Sequence, residues 1–136
     1  MTISLSLAVR NTRAQAVADH LDGAATAGKF QIYTAPRPAS GAAITTQILL
    51  GTCTLSDPCG TVSGGVLTFG AISDDVSADA DGDIFWVRAT DGEGVWVMDM
   101  SAGLTGSGAE IIFNTLTTRI GGAIQIQSGE LVEGGA

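Results

Sequence analysis

The sequence predicts a mainly β fold: a two-sheet antiparallel sandwich, jelly roll favoured, preceded by one N-terminal α-helix. From Lys29 onward apolar and polar residues alternate with period two between Gly, Asp and Pro punctuation. Glycine fills 19 of the 136 positions and proline only 3, so irregular residues are spent on turns. Only Ser6 to Leu21 carries a helical stripe without an internal Gly or Pro. No linker interrupts the pattern, so residues 1–136 are expected to form a single domain, with a helical segment at 1–23 and the sandwich over 29–136.

The helix places Leu7, Arg10, Ala14, Val17 and Leu21 on one stripe, with Ser4 or Ser6 to cap it and Gly23 to end it in the left-handed conformation. Strands are expected near 29–34, 45–56, 65–72, 84–90, 95–101, 109–113 and 122–132, with an eighth near 75–79 or 116–119. The clearest hairpin joins Asp83–Thr90 to Val95–Ser101 through Asp91–Gly94. With Thr90 opposite Val95, Phe85, Val87 and Ala89 share a core face with Trp96, Met98 and Met100. The other face then holds Trp86, Arg88 and Thr90 beside Val95, Val97 and Asp99, and is apolar enough to need cover from the helix or another subunit. Near the C-terminus, Ile124 and Ile126 alternate with Gln125 and Gln127, which predicts one wet face. The paired Cys and buried Trp of an immunoglobulin domain are not at useful spacing.

Charge narrows the function. The net charge is -8, and the chain contains a single Lys, the wrong balance for binding a phosphate backbone. Residues 1–40 hold four basic and two acidic side chains, whereas 41–136 hold two basic and twelve acidic ones. The start of the chain thus reads as a mildly basic appendage on an acidic body. No basic run before an apolar core marks a secretory signal, and no apolar run is long enough for a membrane span, so a soluble protein maturing in a cytoplasm is expected.

Catalytic candidates are few. The only histidine, His20, lies between Asp19 and Leu21 and reads as a solvated surface residue. No Gly-x-Ser-x-Gly elbow accompanies it. Cys53 and Cys59 lack the second ligand pair of a structural zinc site and are expected to be free thiols, with a small-loop disulfide as the alternative under oxidising conditions. Asp74, Asp75, Asp79, Asp81 and Asp83 form an oxygen-rich loop of a kind calcium favours. A helix-loop-helix calcium pattern started at Ser77 puts Arg88 where the bidentate acid belongs, which leaves an Asp/Gly turn. No metal, cofactor or catalytic residue is assigned, and an enzyme is the least favoured class. Ala35-Pro-Arg-Pro38 is either a stiff connection or a docking arm, while Ser63-Gly-Gly65 and Gly121-Gly122 read as turns.

The runs Leu7–Asp19, Ile32–Pro38, Ile44–Gly51 and Val66–Asp74 resemble small structural proteins of tailed bacteriophages and prophages, in particular their capsid cement, or decoration, proteins. Cys53 and Cys59 depart from that pattern. The resemblance implies a jelly-roll subunit made in the host cytoplasm and bound to the virion exterior, where it bridges neighbouring copies of the major capsid protein. Under that resemblance Arg10, Arg13 and Arg37 are capsid-docking candidates, and Trp86, Val95 and Val97 are candidates for an interface between cement subunits. A homo-oligomer is expected, a dimer ahead of a trimer, with no nucleic-acid or membrane partner. Two other readings remain: a tail or baseplate component, and a carbohydrate-binding module in which Trp86 or Tyr33 stacks a sugar near Asp79–Asp83.

Overall fold

Ser6 opens the helix: its hydroxyl accepts from the Val9 amide at 3.2 Å, and α1 runs Leu7–Leu21. The structure is a computed structural model and describes residues 3–134. The helix ends at Asp22 in right-handed geometry, not through a left-handed Gly23, because the Asp22 amide still reaches Ala18 O. Ala14, Ala18 and Leu21 are buried, whereas Leu7 lies exposed at the first turn.

Among the described residues ten strands follow, β1 (Lys29–Tyr33), β2 (Leu49–Thr54), β3 (Gly60–Ser63), β4 (Val66–Phe69), β5 (Gly82–Asp83), β6 (Trp86–Thr90), β7 (Trp96–Gly103), β8 (Ile111–Phe113), β9 (Thr117–Thr118) and β10 (Ile126–Val132). The fold is mainly β with one N-terminal helix, as the sequence predicts, and is sandwich-like. Its layers come from one eight-stranded sheet in the order β2-β1-β6-β7-β8-β10-β4-β3, curled on itself, plus a two-stranded ribbon of β5 and β9. The sheet is mixed, because β7 and β8 pair in parallel through Ala102 and Gly103. Strand β3, which lacks a sustained apolar run, pairs with β4 across Gly64-Gly65, both at positive φ (63° and 76°). That turn chemistry suits a tight hairpin.

Residues 72–79 run along the outer edge of β2. Ser73 N donates to Thr54 O (2.9 Å), Asp79 N to Leu50 O (2.8 Å), and the Asp75 carboxylate accepts from Thr52 N (2.9 Å). On the other side of this strip, Asp75 and Ile124 exchange main-chain hydrogen bonds. The strip therefore ties β2 to the segment before β10 and draws the curled sheet toward closure. Within lies one core that includes Phe30, Ile32, Leu50, Leu67, Val87, Met100, Ile111 and Phe113, together with Ala14, Ala18 and Leu21 of the helix. The helical segment is consequently a wall of the core, not an appendage.

The β6–β7 hairpin forms with a different register. Val87 faces Met100, Arg88 faces Asp99, and an irregularity at Val97 lets Thr90 face Trp96. Val87, Ala89 and Met100 are buried on the core face as expected, with Met98 packed against them. The bulge sends Trp96 to the opposite face, where it is 43% exposed, and Phe85, beyond the strand, is 54% exposed. Neither belongs to the core.

The Arg88 face and the open side of β7

The outer face of β1, β6 and β7 is covered by the connection from Thr34 to Ile48, not by the helix or by another subunit. Tyr33 and Trp86 stack on this face, with ring centroids 4.9 Å apart. The Trp86 indole N–H donates to Thr34 O at 2.9 Å. Gln47 is buried and donates to Pro36 O, closing the connection on itself. Trp86 is fully buried and cannot serve as a subunit-interface residue. With both rings buried and stacked on each other, neither Trp86 nor Tyr33 offers the open platform that sugar stacking needs.

Arg88 ties this layer together. It bonds both oxygens of Asp99, through Nε at 2.8 Å and Nη2 at 3.0 Å, donates to Ala42 O at 2.9 Å, and lies 5.2 Å from the Trp86 ring centre. Burial would raise the Asp99 pKa, but hydrogen bonds from Arg88 and Trp96 outweigh it and hold the carboxyl below its usual value. The hydrogen bond from Arg88 to Asp99 in turn raises the guanidinium pKa, against the lowering effect of burial.

Around the N-terminal half of β7 the surface changes character. Val95 is 61% exposed, Val97 half-buried, and the Trp96 indole donates to Asp99 Oδ1 at 3.0 Å. Gly41 lies against the Trp96 ring, so close that a Cβ there would come within 2.8 Å of it. A groove of about 300 Å³ separates this strand from α1, lined by Ala16, Val17, His20, Val95, Trp96 and Val97. His20 is exposed there, as the sequence reading expects. On the far side of Trp96, Arg37 donates to Asp99 O at 3.1 Å.

The docking candidates are thus dispersed. Arg13 pairs with Glu133 at 3.3 Å and keeps 53% of its side chain exposed. Arg10 is half-buried, bonded to Leu5 O at 3.4 Å and packed on Gly65, whose amide donates to Asn11 Oδ1. Both lie beside the β3–β4 turn and the end of β10, whereas Arg37 joins Val95, Trp96 and Val97. Val95 is exposed, whereas Val97 is half-buried and packs against the core, and Trp96 takes the surface place instead, because the bulge at Val97 leaves no trace in period-two alternation.

Three carboxylates of the acidic loop are engaged within the fold. Asp75 accepts from Thr52 N and Ser77 N, Asp81 from Ile120 N at 2.7 Å, and Asp74 from the side-chain Nε2 of Gln125 at 3.2 Å. Cys53 and Cys59 are free and buried, and burial pushes their thiols up to about 11 and about 12 respectively. Comparison with known protein families, characterised proteins and solved structures gives no match.

Proposed function

We propose that this protein is a capsid cement protein of a tailed bacteriophage, a structural subunit that binds the outside of the shell and bridges neighbouring copies of the major capsid protein. The observation that carries the reading is the surface at the start of β7, where exposed Val95 and Trp96, an apolar groove and the Arg37 loop meet on a rigid sheet. Contiguous apolar surface flanked by fixed charges marks a place where another protein binds. The resemblance of Leu7–Asp19, Ile32–Pro38, Ile44–Gly51 and Val66–Asp74 to cement proteins supports it, since those runs fall on α1, the end of β1, the start of β2, and β4.

The action would be mechanical. Packed DNA pushes a shell outward, and a subunit gripping two capsid proteins opposes their separation. Each engagement raises the effective concentration for the next, so modest contacts hold tightly in an array. Dimeric cement subunits would double the number of grips. The acidic body would face solvent and leave the enclosed nucleic acid untouched.

The test is sedimentation of purified protein with expanded capsids and with tails. Saturable, stoichiometric capsid binding, with a rise in the temperature at which shells break, is the expected result. Co-sedimentation with tails alone would replace capsid by tail or baseplate. The Arg10→Glu, Arg13→Glu double variant should reduce capsid occupancy severalfold while its own melting curve stays cooperative; undiminished occupancy would remove the helix from the contact.

A further inference from the structure

The strand β7 is eight residues long, yet β8 pairs with it only at Ala102 and Gly103. On that side Trp96–Ser101 have no strand neighbour among the described residues, and they are mostly half-exposed where every residue of β6 is buried. Two of their main-chain groups are met by side chains from elsewhere. Arg37 Nη2 donates to Asp99 O, and the Glu110 carboxylate accepts from Ser101 N at 3.3 Å. Residues 99 and 101 have the same parity, so these groups point off the same edge. A donor at one and an acceptor at the other, two residues apart, reproduce what an adjoining strand would present.

We propose that the open edge of β7, Trp96–Ser101, receives an extended segment of a protein partner as an added strand, with Arg37 and Glu110 holding its place until it arrives. The inference rests on the cement-protein reading for the identity of that partner, a segment of the major capsid protein, but not for the chemistry of the edge. The incoming strand gives an amide to Asp99 O and a carbonyl to Ser101 N, and sets one apolar side chain into the groove between α1 and Val95–Val97. Asp91 lines the groove and Glu110 lies at Ser101, and residues 41–136 carry twelve acids against two bases, so the segment is basic. A second copy of this acidic chain would bring like charges together.

The experiment follows hydrogen exchange of the full chain, free, bound to expanded capsids, and mixed with an eight-residue peptide alternating valine and lysine. The amides of Val97, Asp99 and Ser101 should become protected in both complexes, and the peptide should shift the fluorescence of Trp96. Arg37→Ala should tighten both interactions by about threefold or more, because the displaced placeholder no longer competes; a docking cation would show the opposite sign. Ser101→Pro, which removes the edge amide now held by Glu110, should weaken both by at least about tenfold. Should that variant fold poorly, exchange in the unmodified chain decides alone. Capsid binding without new protection at 97–101 would overturn the inference and leave the cement reading standing. Peptide binding without capsid binding would do the reverse, and absence of both would defeat both.

Discussion

Asp99 accepts from Arg88 and Trp96 while Arg37 holds its main-chain oxygen. Its side chain is only 4% exposed and that of Arg88 only 10%, so breaking the pair strands a buried charge. Asp99→Asn should therefore lower stability by about 3–5 kcal/mol at pH 7. Because the folded pKa is lowered, this contribution is present in full above the unfolded value of about 3.9 and fades as pH falls through the folded one. Urea melts of both proteins should show a constant gap from pH 7 to 5 that narrows below about pH 4. The raised thiols of Cys53 and Cys59 give a second expectation: a thiol reagent at pH 8 leaves the folded protein unlabelled and labels two positions once urea unfolds it. Labelling of the native chain would show that one thiol is accessible. The sequence put Arg88 and Asp99 on one face but not opposite each other, since their direct pairing depends on a register and a bulge that residue types do not announce.

At the scale of elements, α1 and most strands were legible because their periodicity is strong. Just before β10, Ile124 is buried between exposed Ala123 and Gln125, as alternation predicts. Strand β3 escaped notice since Val62 is its one apolar residue, and β5 since it is too short to alternate, whereas β9 falls within 116–119, one of the two places expected for an eighth strand. The cover over Trp86 was misassigned for a different reason. A connection without regular structure, Thr34 to Ile48, can still bury a large ring through main-chain oxygens, which composition does not reveal. The edge strip of 72–79 was legible as an Asp-rich turn or a short strand at 75–79, but not as a tie between β2 and the segment before β10, which the Asp75 carboxylate and main chain make. Its fit is tight at Gly51, where a Cβ would stand 2.6 Å from both Asp75 Oδ2 and Ile124 Cδ1. Gly51→Ala should push the strip off β2 and cost about 1–3 kcal/mol, measured as a lower denaturation midpoint together with faster exchange of the Thr52 amide. An unchanged midpoint would mean that the strip yields freely.

For the whole molecule, charge arithmetic suggested two parts, and the core joins them. Ala14, Ala18 and Leu21 close a wall over Phe30, Leu67 and Cys59, a union that no one-dimensional pattern contains. A chain beginning at Ala24 should lose its sharp thermal transition and bind a hydrophobic dye; retention of a cooperative melt would return the helix to the role of an attachment. The candidate site was legible in pieces, Arg37 at a proline-rich loop and Val95 with Val97 on a strand. Their convergence around Trp96 depends on a chain reversal and a bulge acting together.

The strip along β2 also bears on how such subunits meet. With the outer edge of β2 already bonded through Ser73, Asp75 and Asp79, a strand taken up at β7 cannot be relayed from the β2 end of the sheet. In the vocabulary of polymer chemistry, the β7-to-β2 route is that of a chain terminator. Copies crowded onto a surface at high local concentration would cap what they bind instead of stringing themselves through that route into fibres.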